Sequence, residues 1–144
     1  MLELLKTLSN GDFNKLPREL VGLSEKIKQA RKHVLALPKD FDGDNSTAYR
    51  AETVDRAVMF VKKLAISALK VNNTIIPAPK IMPGPDGSID VCWKEDSFSL
   101  LINFPDNTDD LPTYFGEDTM GNTTEGSFDG SKLDQVFLFW LLDH

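Results

Sequence analysis

The sequence predicts an α+β domain: N-terminal helices packed on a small antiparallel sheet, with an apolar C-terminal segment closing the fold. Three observations predict it. Apolar residues recur at three and four up to about residue 72, then alternate with a period of two between about 74 and 130, and the stretch VFLFWLL at 136–142 is apolar throughout. All 144 residues are read as one domain, a length that suits a single core.

Each element has its own warrant. Residues 2–9 are compatible with a short helix, broken by Gly11 and Pro17. Residues 17–37 read as a helix with Pro17 at its first position and an apolar stripe of Leu20, Leu23, Ile27, Ala30, Val34 and Leu37. Gly22 weakens it slightly and Pro38 ends it. Residues 51–70 form the clearest helix, with Val54, Ala57, Val58, Val61, Leu64, Ala65 and Ala68 on the buried face. Glu52 and Asp55 lie early in it and Lys62, Lys63 and Lys70 late, which suits the helix dipole.

After Asn72-Asn73 the period changes. Ile89, Val91 and Trp93 alternate with Asp90, Cys92 and Lys94, then Phe98, Leu100, Ile102 and Phe104 alternate in turn, so 88–94 and 97–104 read as a hairpin. Residues 80–83 read as a short edge strand, because the prolines at 77, 79, 83 and 85 cannot donate to a ladder. Residues 113–116 and 124–128 suggest two more strands. Residues 131–144 open on Ser131, a plausible N-cap three residues before Asp134, and run on as a terminal helix or strand.

Composition narrows the function. A net charge of −6 and a pI near 4.8 argue against nucleic-acid binding, which needs clustered Lys and Arg. An acid excess suits a soluble protein or one with a basic partner. The single cysteine, Cys92, excludes an intrachain disulfide framework and points to a reducing compartment. The N-terminus lacks a signal-peptide pattern, and VFLFWLL is far short of the about 20 residues that span a bilayer. A cytoplasmic protein is expected, with no membrane or nucleic-acid partner and no cofactor.

Few stretches look like chemistry. DFDGDNS at 40–46 alternates Asp40, Asp42 and Asp44, candidates for a cation site. An EF-hand loop starting at Asp40 needs glycine at its sixth position and glutamate at its twelfth, where Asn45 and Ala51 stand. The stretch reads better as a turn. His33 and His144 lack ligand partners at zinc spacing. Cys92 has no histidine near it in sequence and reads as a small half-buried hydrophobe. GPDG at 84–87 precedes a strand, so it reads as a hairpin turn and not a phosphate loop. The acidic pairs at 95–96, 109–110 and 117–118 lie in turns. In the tail, Phe137, Phe139 and Trp140 are either closing core or a protein–protein surface, for which such aromatics are typical anchors.

FDGDNSTAYRAETVDRAVMFVKKL and MPGPDGSIDVCW, followed by LLIN, resemble a group of short bacterial proteins of unknown function. That group carries a Trp-Asp-Gly motif, a helix, and a Pro-x-Pro-Asp-Gly-Gly-Ile hairpin ending in Trp. The likeness covers about residues 41–104. Phe41 stands where Trp is usual and Ser88 at the second glycine. It implies a bacterial or phage-like intracellular setting and the same helix–turn–hairpin layout, with Phe41, Asp42, Gly43, Pro85, Asp86, Gly87 and Trp93 as structural residues. Phe41 is expected to pack beneath the following helix. It implies no catalytic residue.

The resulting expectation is a non-enzymatic, intracellular protein-binding or accessory protein, acting as an acidic inhibitor of a basic partner or as a homo-oligomer through the tail. The alternative is a small-ligand or divalent-cation-binding enzyme with its site in the acidic loops 40–46, 105–112 and 117–122.

Overall fold

The computed structural model describes residues 16–38, 48–130 and 135–143, and it is an α+β fold. The 2–9 helix, the DFDGDNS turn with Asp40, Phe41, Asp42, Gly43 and Asp44, and the Ser131 cap lie outside the described residues.

A 3-10 turn at Arg18–Leu20 leads into α1, Val21–Ala36. Pro17 caps the turn in an extended conformation and is not, as the sequence suggested, the first helical residue. Its fixed φ suits either place, and its carbonyl accepts from Leu20 N–H at 3.0 Å. Leu20, Leu23, Ile27 and Val34 are buried as the stripe requires, and His33 is exposed.

Helix α2, Ala51–Asn72, is the backbone of the core. All seven expected inward residues are buried, joined by Thr53, Phe60, Ile66 and Ser67. The buried face is wider than one stripe because α2 packs against α1, the sheet and the C-terminal helix. It ends where Asn73 turns left-handed (φ 51°), with Asn73 N–H bonded to Leu69 O at 2.9 Å and Thr74 N–H to Ala68 O at 3.3 Å. Asparagine tolerates that conformation and glycine is not needed.

Five antiparallel strands follow in simple meander order: β1 Lys80–Pro83, β2 Ile89–Lys94, β3 Phe98–Phe104, β4 Thr113–Asp118 and β5 Thr123–Ser127. Alternation settles the register. Val91, Ile102 and Tyr114 share one inward row, and Trp93, Leu100 and Gly116 share the next. The helices cover this inner face. Trp93, 1% exposed, donates its indole N–H to Pro77 O at 2.8 Å, which ties the segment between α2 and β1 to the core.

The β1–β2 turn is built by the Pro85-Asp86-Gly87 segment. Asp86 (φ 55°) and Gly87 (φ 80°) both adopt the left-handed region, which Asp tolerates and Gly favours. Ser88 Oγ donates to Pro85 O at 2.6 Å and accepts from Asn103 Nδ2 at 2.9 Å, so Ser88 locks the turn to β3. Tyr49 Oη donates to Gly84 O at 2.8 Å from the segment entering α2.

The terminal segment is a helix, α3, Gln135–Asp143. Phe137 meets Phe60 edge-on at 5.3 Å and Tyr114 at 5.1 Å, and Trp140 meets Phe98 at 6.2 Å. Phe137 (0%) and Trp140 (4%) are therefore core, and of the three aromatics read as an interaction surface only Phe139 is exposed, at 51%. Along a helix, residues 137, 140 and 141 share a face that 139 does not, so the apolar run could not place all three outward.

Candidate functional site

Among the described residues, a concavity lies between the N-terminal half of α2 and the β3–β4 connection at 105–112. It encloses about 490 Å³. Its floor is Phe60 and Phe104, whose rings lie 5.5 Å apart and continue into the Phe128–Phe137 cluster. Its walls are Met59, 49% exposed on α2, and Leu111, 56% exposed on the loop, with Pro112. Carboxylates rim it at Glu52, Asp55, Asp110 and Asp129, against the cations Arg56 and Lys63. A second hollow of about 400 Å³ adjoins it at Asp110 and reaches Asp86, Ser88, Asn103 and Asp106.

The loop between the two hollows is clamped. Asp106 Oδ1 accepts from Thr53 Oγ1 at 2.7 Å and from Arg50 Nε at 2.8 Å. These hydrogen bonds, Thr53's first, hold the Asp106 carboxyl below its ordinary pKa, and the same pairing raises that of Arg50. Arg56 Nη2 donates to Pro105 O at 2.8 Å and Asp106 O at 3.2 Å, while among the described residues its buried Nε has no partner. Arg56 is thus spent as a strut behind the wall, and Lys63 is the rim cation with a free head group among the described residues. Asp55 is paired with Arg31 at 2.7 Å, an exposed bridge between α1 and α2.

Among the described residues, the acidic loops 105–112 and 117–122 each spend a carboxylate on their own structure. Asp106 is held by Thr53 and Arg50. Asp118 accepts from Met120 N–H, Asn122 N–H and Asn122 Nδ2 at 2.9 to 3.0 Å, closing its own β4–β5 turn. Among the described residues no three His, Cys, Asp or Glu side chains are placed to hold a metal ion. Cys92 is on the opposite face of the sheet from the groove, and burial raises its thiol pKa, which disfavours the thiolate. Pro85, Asp86, Gly87 and Trp93 are where the hairpin needs them, and Asp86 also borders the second hollow.

The residue pattern marks 105–112 as an acidic loop and does not single out Met59, Phe60 or Leu111. One signal was present. Val58, Met59, Phe60 and Val61 are four successive apolar residues, more than one helical stripe needs, and Leu111 sits alone among aspartates. Comparison with known protein families, with curated proteins and with solved structures returned no match. Among the described residues, no helix is long and apolar enough to cross a membrane.

Proposed function

We propose that the protein is a non-enzymatic binding protein whose groove between α2 and the 105–112 loop receives a basic segment of a partner protein carrying an apolar anchor. One observation carries this reading: an aromatic floor set inside a mainly carboxylate rim. An apolar side chain of the partner fills the floor between Met59 and Leu111. Lys or Arg on either side of it meets Asp110 and Glu52, the latter in competition with its exposed pairing to Arg50 at 3.4 Å. The pattern follows the usual anatomy of interfaces, an apolar centre with a polar margin, and rim charge chiefly sets approach rate and partner choice. The net charge of −6 acts in the same direction. The single cysteine and the acidic composition suit an intracellular, cytoplasmic setting.

Calorimetric titration with short Lys/Leu/Phe peptides and with Glu/Leu/Phe analogues tests it. The basic peptides should bind more tightly, weaken as salt rises, and lose at least about tenfold in affinity on Met59→Glu or Leu111→Glu. Equal binding of acidic and basic peptides refutes the reading.

A further inference from the structure

The outer face of the sheet carries a pattern that the groove does not explain. The three helices lie on the inner face, where Ile89, Val91, Trp93, Leu100 and Ile102 are buried. The alternate residues therefore point outward. Register aligns them in rows across all five strands. The middle row reads Lys80, Cys92, Leu101, Phe115, Glu125, from β1 to β5. Beside it runs Lys94, Ser99, Glu117, Thr123 from β2 to β5. On the other side, Met82 heads a row through Asp90, Asn103, Thr113 and Ser127. Leu101 is 39% exposed and Phe115 43%, so the middle of the face is apolar. Both cations of the first two rows stand on the β1–β2 side, and both carboxylates on the β4–β5 side.

We propose that this face binds a second copy of the chain, sheet against sheet, about a two-fold axis parallel to the strands through Leu101. Leu101 lies on β3, the central strand, so this axis places β1 over the partner's β5 and β2 over the partner's β4. Lys80 then faces the partner's Glu125 and Lys94 the partner's Glu117. Cys92 meets the partner's Phe115, and the two Leu101 side chains meet on the axis. The two-fold doubles every off-axis contact, which gives four opposite-charge pairs around an apolar centre. The other in-plane axis, across the strands, sets Lys80 against itself and Glu125 against itself. Like charges disfavour it, so the charge pattern selects the first. The partner is thereby specified as this chain itself, because the two halves of the face are complementary to each other.

Geometry permits the contact. Twisted sheets pack about 10 Å apart with strands about 30° from parallel, and the long Lys80 and Lys94 side chains absorb the offset this creates at the edges. Five strands about 4.8 Å apart and about five residues long present roughly 400 Å² in projection per copy, with more accessible surface once protruding side chains are counted. That lies at the small end of specific interfaces, so a reversible dimer is expected, not a permanent one.

Sedimentation equilibrium of the full chain over a concentration series tests this. The unaltered protein should pass from monomer to dimer with a Kd of about micromolar order. Phe115→Asp should abolish the dimer while lowering the thermal midpoint of the monomer by only a few degrees, since that side chain is 43% exposed. Lys80→Glu and Glu125→Lys should each weaken the dimer about tenfold, and the double charge swap should restore it. A monomer at every concentration would overturn the proposal and leave the face to a different partner. A dimer indifferent to Phe115→Asp would also overturn it. A double swap no better than either single change would reject the axis. Met59→Glu should leave the dimer intact and Phe115→Asp should leave peptide binding intact, so this proposal and the groove reading fail separately.

Discussion

Replacing Trp140 and Phe139 one at a time with alanine asks whether the terminal helix is a keystone or a docking surface. Trp140 is 4% exposed and packs edge-on against Phe98, and its ring is 3.4 Å from where a Cβ on Gly116 would stand. Glycine at 116 makes room for the indole, so its removal leaves a hole with no side chain on β4 to fill it. Truncating a buried aromatic that cannot be backfilled costs about 3–5 kcal/mol. For a chain of this length each kcal/mol moves the thermal midpoint by about 3 °C, so Trp140→Ala should lower it by roughly 10 °C. Phe139 is 51% exposed, and its truncation should cost about 1 kcal/mol or less. Far-UV circular dichroism is the appropriate probe, since the variant loses one of only two tryptophans. If Phe139→Ala destabilises as much as Trp140→Ala, the helix is rotated and the reasoning fails.

Two further perturbations probe the loops. Because Thr53 and Arg50 hydrogen-bond the Asp106 carboxylate, its folded pKa lies below the unfolded value, so its stabilising effect is present above that unfolded value and is lost as pH falls through the folded one. Carboxyl-carbon NMR should show Asp106 titrating below an ordinary aspartate and moving upward in Thr53→Val; an ordinary titration in the unaltered protein would refute the clamp. A Cβ at Gly84 would lie 2.5 Å from Ser88 Oγ, so Gly84→Ala should cost about 1–3 kcal/mol. Adding Ser88→Ala should make the pair less destabilising than the sum of the singles, measured by urea unfolding, and strict additivity would contradict the close contact.

Much of the fold was legible because its two periods are clean. The spacing of Val54, Ala57, Val61, Leu64 and Ala68 admits only one helical face, and the alternations through Trp93 and through Phe104 admit only one sheet face. The hairpin turn was legible in Pro85-Asp86-Gly87, since few residues tolerate positive φ. The tail was not. VFLFWLL is apolar on every side, so neither period stands out, and whether Phe139 or Trp140 faces solvent depends on what packs against it. The groove was hidden for a related reason. Met59 and Leu111 lie 52 positions apart, and only the return of β3 toward the start of α2 brings them together.

By itself, then, the sequence determined the type of α2 and of the strands, their boundaries to within about two residues, and the inward face of α2 and of the hairpin, because those are local consequences of backbone geometry and apolar spacing. It also determined the acidic character that any partner must meet. The tertiary structure alone decided that Asp106 is hydrogen-bonded to Thr53 and Arg50, that Phe137 and Trp140 are core, and that two lysines and two glutamates stand at opposite sides of one sheet face. Each depends on the pairing of residues distant in sequence. Strand register and helix docking set those pairings, and no local pattern encodes them.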